Sequence, residues 1–304
     1  MVNGNVILKK AQKTGYAVGA YNFSNLEQLK AILQASENKK CDVIVQTSTS
    51  AIKYMGLDVV VAMVKELSKN LTIDVCLNLD HGKDLNLIKQ CIDKGYTNVM
   101  IDASDLPLEE NIKITKQVVE YAHKFGVTVE AELGSLKGIE DEVIANSNVF
   151  TKPEEALYFV KNTGVDSLAI SIGTSHGAYK FKGESYLDIE RLQQIKALIN
   201  IPLVLHGASS VSDNLKNKFI ASGGSIGNAK GVSSDNLLQA IKNGICKINV
   251  DTDLRLAMTA AIREMYATNP AEFDPRKYLG AGRDAIKEMV KHKIINVLGC
   301  NDKI

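Results

Sequence analysis

The sequence predicts a single (β/α)₈ barrel, spanning residues 1–304 as one domain with a helical extension at its carboxyl end. Three observations carry that expectation. Eight short apolar runs rich in β-branched residues alternate with longer stretches of helical period. The length of 304 residues is close to that of one eight-fold barrel. Nothing remains beyond those eight units except a helical tail after Asp253, which favours a closed barrel over an open sheet.

In chain order the predicted strands are Ala17–Phe23, Val43–Ser48, Val75–His81, Asn98–Ser104, Val127–Gly134, Ser167–His176, Leu203–Gly207 and Cys246–Thr252. Amphipathic segments such as Leu26–Lys39, Asp58–Lys69, Leu85–Lys94, Glu109–Phe125 and Pro153–Asn162 fall between them. None of the five prolines interrupts a strand interior; Pro202 opens the seventh, where a missing donor is tolerated. The longest irregular stretches, 134–152, 177–186 and 222–234, lie near strand carboxyl ends, where barrel active-site loops belong.

Composition narrows the function class. Lys plus Arg number 36 against 35 Asp plus Glu, a net charge of +1, so nothing recommends nucleic acid or an anionic membrane surface as partner. No apolar run approaches the ~18 residues that a bilayer crossing needs, and the amino terminus lacks the pattern of a secretion signal. The five cysteines (41, 76, 91, 246 and 300) are odd in number, widely spaced and without a CxxC pair. They read as reduced thiols, and the compartment as cytoplasmic.

Of five histidines, His123 and His292 fall within helical segments and read as solvated. The other three share one setting: His81 ends LNLDHG, His176 ends AISIGTSHG and His206 ends PLVLHGAS, each closing an apolar strand before a glycine. In a barrel all three project at the carboxyl rim, where converging imidazoles make a catalytic zinc-type site with an open position. Carboxylates collect there too. Asp80 precedes His81, Asp102 ends NVMIDAS, and Glu130 and Glu132 alternate through VEAELG on one face. For Glu130 a salt bridge inside the barrel is the competing reading, and Glu140, on a glycine-flanked loop, reads by itself as a solvated charge. Gly207, Ala208, Ser209 and Ser210 after strand seven and Asn249–Thr252 leading into the final helix suit a phosphate, as does Gly177–Lys180.

The ordered set AYNFSN, VIVQTS, LDHG, MIDAS, VEAELG, GIEDE, IGTSHGAYKFKGE, PLVLHGAS, KINVDTDLR and DPRKYLG resembles the class II fructose-bisphosphate aldolases, in particular their shorter bacterial and protist branch. The resemblance runs over essentially the whole chain. It implies a Zn²⁺ held by His81, His176 and His206, with Asp102 and Glu132 lining an alternative metal position. It implies that Asp80 exchanges the proton on the C4 hydroxyl and that Glu140 handles the proton at the dihydroxyacetone-phosphate carbon. Asn22 and Ser48 would orient substrate. Gly177, Lys180, Gly207, Ala208, Ser209, Asn249, Val250 and Thr252 would hold the dihydroxyacetone-phosphate end, with Asp251 reading the sugar hydroxyls. Arg276 would reach a second phosphate across a homodimer or homotetramer, and a monovalent cation could sit by the phosphate. The one departure is Asp105, where relatives commonly carry histidine.

The chemistry suits these residues independently. A metal-free aldolase needs a Schiff-base lysine at a strand end, and no predicted strand ends in one. A tagatose-bisphosphate aldolase is the nearest rival; such relatives resemble KINVAT where this chain reads KINVDT, and Asp251 can accept a hydroxyl hydrogen bond that alanine would ignore. A silent sugar-phosphate-binding barrel would be marked by a missing ligand or Asp80, and none is missing. A metal-dependent hydrolase would call for more carboxylate ligands than this pattern supplies.

Overall fold

The computed structural model describes residues 1–135, the strand backbones of 138–140 and 143–145, and residues 149–175, 186–226 and 230–303. Eight parallel strands close into a barrel: Val18–Asn22, Val43–Thr47, Val75–Gly82, Asn98–Ile101, Thr128–Leu133, Ser167–Ile170, Leu203–Leu205 and Ile245–Val250. Closure comes from the first strand, which pairs with the eighth (Val18 opposite Lys247) and with the second (Ala20 opposite Ile44). They are counted below as strands one to eight.

The helices begin and end where local chemistry says they should. Asn25, Ser48, Asp84, Ser212 and Ser233 each cap a helix by accepting a backbone N–H from its first turn. Leu85–Lys94 is the helix predicted, stopped by Gly95 in the left-handed region. The predicted segment 109–125 is the helix Leu108–Ala122 with one 3₁₀ turn after it. Helices Thr252–Thr268 and Pro275–Lys293 form the carboxyl extension, pack on one another, and the second also packs on Leu26–Asn38. Among the described residues no helix is long and apolar enough to cross a membrane.

An amino-terminal helix, Gly4–Thr14, was not among the predicted segments. It sits at the amino ends of the strands: Val2 N–H donates to Val75 O, and Gly4 N–H to the hydroxyl of Thr128, the first residue of strand five.

Seven of the eight strands end before the predicted residue, strand six by the most. Strand six ends at Ile170 rather than His176, because Ser171 turns away to exchange hydrogen bonds with Thr151 instead of a neighbouring strand. Gly173 follows at φ +116°, where a side chain would meet Tyr186 O. Strand seven stops at Leu205, ahead of Gly207 at φ +60°.

The reading of five reduced cysteines is corrected. Cys41 and Cys300 form a disulfide across a sequence separation of 259, with Cα atoms 5.5 Å apart. Spacing could not reveal it, since the tail returns to the start of strand two only in the folded chain. There Asp302 N–H donates to Lys39 O and Lys303 N–H to Lys40 O. Cys76, Cys91 and Cys246 are free and buried. The cytoplasmic reading therefore loses the support it drew from the cysteines.

Candidate active site

Strand three aims two consecutive side chains into the barrel mouth. Its register against strand four slips between Leu79, opposite Val99, and Gly82, opposite Ile101. Three residues thus span what two span on the neighbour, a bulge of the kind that re-aims side chains. His81 takes φ +48° within it, a conformation rare outside glycine and asparagine. Asp80 and His81 both end up inside, buried, with ligand atoms within 4.8 Å of those of His206.

The hydrogen bonds fix which ring nitrogen of each histidine is left over. His81 Nδ1 lies 2.8 Å from Asp102 Oδ2, and His206 Nε2 lies 2.7 Å from Glu130 Oε1. A carboxylate only accepts, so each of those nitrogens is the donor. The remaining nitrogens, His81 Nε2 and His206 Nδ1, face each other at 2.9 Å. Two imidazole lone pairs confront one another there unless a cation, proton or metal, lies between. Carboxylate-backed imidazoles are the usual outer arrangement of a metal site. Glu132 Oε2 adds a buried oxygen without a hydrogen bond, 3.8 Å from His81 Nδ1. The donors present thus fit a divalent cation bound by nitrogen and oxygen.

Electrostatics agree. Burial alone would push the His81 imidazole down, but Asp80, Asp102 and Glu132 outweigh it and hold its pKa well above the ordinary value. His206 is pushed down, by burial first and the neighbouring His81 second. Glu132 is driven well up by burial and by Asp102. For Asp102, burial is outweighed by His81, and its carboxyl lies well below the usual range.

Glu130 has the role that competed in the sequence, an ion pair inside the barrel. Lys247 Nζ donates to both its oxygens, at 3.0 and 2.7 Å, and both residues are fully buried. Burial would raise Glu130; Lys247 and His206 overcome that and hold it near 2. Lys247, the third residue of strand eight, is thereby engaged deep in the barrel rather than presented at its mouth.

Asp80 is gripped on both oxygens, by Asn22 Nδ2 at 2.8 Å and Asn249 Nδ2 at 3.0 Å. Asn249 Nδ2 also lies 3.0 Å from His206 Nδ1, so this residue touches the proposed acid and a proposed ligand rather than only a phosphate. Asn22 opens outward onto a cavity of about 350 Å³ that Ser48, Ser50, Tyr54, Asp251 and Arg255 also line. Asp251 pairs there with Arg255 at 2.7 Å.

After strand seven, Gly207 passes so near Ser175 that a Cβ would come within 2.5 Å of its carbonyl oxygen. Ala208 is buried and Ser209 Oγ accepts the N–H of Asp251. The next turn is held from below: Asp253 accepts the N–H groups of Ser210 and Val211, and Lys293 reaches both Asp253 and Ser210 Oγ at 2.9 Å. Val250 is buried and Thr252 opens the following helix, as the motif required.

Some predicted residues are not brought together here. His176, Gly177 and Lys180 lie outside the described residues. Glu140 ends the hairpin strand Gly138–Glu140, paired antiparallel with Val143–Ala145, rather than standing in irregular loop; its side chain is outside the description. Arg276 is exposed at the start of the last helix and bonded to Asp274. Asp105 is exposed and paired with Lys83.

Reasoning from sequence overlooked a set of buried interior amides: Gln46, Asn78 and Asn98, with Thr128 beyond them. The available signal was their alternation with apolar residues in VIVQT, VCLNLD and NVMI.

The family model for class-II fructose-bisphosphate aldolases matches residues 2–303. The chain is 47% identical over 307 residues to the fructose-bisphosphate aldolase of Helicobacter pylori, covering all of both chains. It is 49% identical over 296 residues to that of Thermus caldophilus, covering 97% of each. The Giardia intestinalis fructose-bisphosphate aldolase is 49% identical over 291 residues, 95% of this chain and 90% of the relative. Among solved structures, the YdjI aldolase of Escherichia coli superposes with a TM-score of 0.81 at 29% identity, over 99% of this chain and 98% of the other. With opposed imidazoles at the mouth of a closed barrel and full-length similarity of this kind, the chain belongs to the class-II fructose-bisphosphate aldolases.

Proposed function

We propose that this barrel catalyses the reversible aldol cleavage of D-fructose 1,6-bisphosphate to dihydroxyacetone phosphate and D-glyceraldehyde 3-phosphate, with Zn²⁺ as its metal. The observation that carries the reading is the pair of carboxylate-backed imidazoles, His81 and His206, whose second ring nitrogens meet beside Asp80. His176 completes the ligand set, and Asp102 and Glu132 border an alternative metal position. The cation, once bound, supplies Lewis-acid stabilisation for the negative charge that cleavage leaves on dihydroxyacetone phosphate.

The remaining work falls to the chain itself. Asp80 takes the C4 hydroxyl proton as the C3–C4 bond breaks and returns it to the aldehyde oxygen in condensation. Glu140, arriving on the hairpin after strand five, protonates the carbon left on dihydroxyacetone phosphate. Asn22 and Ser48 orient the sugar from the outer cavity and Asp251 reads its hydroxyls. Gly177, Lys180, Gly207, Ala208, Ser209, Asn249, Val250 and Thr252 hold the dihydroxyacetone-phosphate end, with backbone N–H groups as the main donors and a monovalent cation nearby. We take the protein to work in the cytoplasm as a homodimer or homotetramer. Arg276 stands exposed close to Phe273, itself 89% exposed, which suits a segment that another subunit covers.

The test is cleavage of fructose 1,6-bisphosphate by the purified protein, with chelator and then with zinc restored. Activity should vanish and return. Asp80→Ala and Glu140→Ala should then each cost about 10²–10⁴-fold in kcat. Activity indifferent to complete metal removal would overturn the mechanism.

A further inference from the structure

A line of polar side chains crosses the barrel interior from its base to Asp80. Barrel interiors are ordinarily filled by branched apolar residues, yet Asn22, Gln46, Asn78, Asn98 and Thr128 all point inward and are buried. They occupy one continuous register line: Asn22 opposite Gln46, Gln46 opposite Asn78, Asn78 opposite Asn98, and Asn98 opposite Thr128. Because barrel strands are tilted, residues in register step down the axis from strand to strand. The line accordingly starts at the last residue of strand one and ends at the first residue of strand five.

The bonds along it all run one way. Gly4 N–H donates to Thr128 Oγ1 at 2.8 Å, and the Thr128 hydroxyl donates to Asn98 Oδ1 at 2.5 Å. Asn98 Nδ2 donates to Asn78 Oδ1 at 2.7 Å, and Asn78 Nδ2 to Gln46 Oε1 at 3.0 Å. Gln46 Nε2 donates to Asn22 Oδ1, and Asn22 Nδ2 to Asp80 Oδ2, both at 2.8 Å. Amide orientation is normally ambiguous, because oxygen and nitrogen look alike. Here the Asp80 end decides it. A carboxylate can only accept, so Asn22 turns its nitrogen to Asp80 and its oxygen to Gln46, and each amide further down follows in the same sense. Such head-to-tail chains also polarise cooperatively, strengthening each bond in the row.

We infer that Thr128, Asn98 and Asn78 are positioning residues for the aldol step, holding the Asn22 amide, through Gln46, in the one orientation that donates to Asp80. The inference rests on the reading of Asp80 as the group that moves the C4 hydroxyl proton. Without the chain the Asn22 oxygen loses the bond from Gln46 that holds the amide in place, and the grip of Asn22 on Asp80 loosens. The amino-terminal helix becomes part of the device, since its first N–H anchors the Thr128 hydroxyl at the far end of the row. Gly4 is required there, because a Cβ would meet Asn98 Oδ1 at 2.8 Å.

The test separates two reactions of one enzyme. Cleavage of fructose 1,6-bisphosphate needs Asp80, whereas exchange of a dihydroxyacetone-phosphate proton with D₂O, followed by NMR, needs Glu140 and the metal but not Asp80. Thr128→Val and Asn98→Leu should each lower kcat for cleavage about tenfold, the worth of one lost hydrogen bond to a charged group. KM and the exchange rate should stay as in the unmodified protein, and Thr128→Ser should restore cleavage. Cleavage and exchange falling together, or neither falling, would overturn the inference. Should neither apolar variant accumulate as folded protein, Gly4→Ala displaces the same link from below and carries the comparison. An unmodified protein that neither cleaves nor exchanges would instead count against the proposed function itself.

Discussion

Two sets of buried carboxylates share this barrel, and they are balanced in opposite ways. Asp80, Asp102 and Glu132 crowd around a single imidazole, His81, and one Glu132 oxygen has no hydrogen bond. Glu130 and Asp253 each meet a buried lysine, Lys247 and Lys293, at 2.7 and 2.9 Å. The first set carries more negative charge than its own side chains offset, which burial makes costly; the second is complete. What differs is where the compensating cation comes from: inside the chain for the scaffold and, on the proposed function, outside it for the mouth of the barrel.

The largest effect should come from breaking the complete set. Lys247→Met takes the countercharge from buried Glu130 and leaves it the His206 N–H, and urea denaturation should show a loss of about 3–5 kcal/mol. Adding Glu130→Gln should recover most of it. If the single variant is as stable as the parent, the pair is not what balances Glu130.

Next comes the support behind the mouth. Asp102→Asn removes the carboxylate that fixes His81, and zinc affinity measured by chelator competition should fall about ten- to a hundredfold. Smaller again is Glu132→Gln. Burial and Asp102 already resist charge at that position, so the metal-free protein should gain about 1 kcal/mol while binding zinc less well. A metal-free protein destabilised by this change would mean that the mouth was balanced without a cation.

The least effect is expected in acid. Burial would raise the Asp253 carboxyl, but Lys293 and the N–H groups of Ser210 and Val211 bring it below the ordinary value. A lowered folded pKa gives stability that is full above the unfolded value, about 3.9, and is lost as pH falls through the folded one. Urea midpoints of the parent should therefore decline more steeply below about pH 4 than those of Asp253→Asn. Parallel declines would remove Asp253 from the account.

The sequence displayed the parts of this site that share a local pattern. His81 and His206 each stand before a glycine at the end of an apolar strand, and the barrel puts their rings in contact at its mouth. The strand starts were equally legible, because β-branched runs begin abruptly: Val43, Val75, Asn98, Ser167 and Leu203 were all placed correctly. Strand ends were less so. Ser171–Ser175 reads as a continuation of the apolar run before it, and only the folded chain reveals Thr151 drawing it away. The interior amides stayed hidden because one polar residue in a strand says nothing of its partner on the next. Their alignment is a property of register, which single strands do not encode. A salt bridge for Glu130 was legible as a competing reading, but its partner Lys247, 117 residues away, was not, for the same reason.

The Cys41–Cys300 bond turns nearly the whole barrel into a closed covalent ring. Any single cut between those positions, including one in the hairpin that carries Glu140, opens the ring without releasing a fragment. A nicked molecule should run on a non-reducing gel as one species and part into two only when thiol is added. The barrel can therefore suffer a break in its active-site loops and keep its pieces tethered.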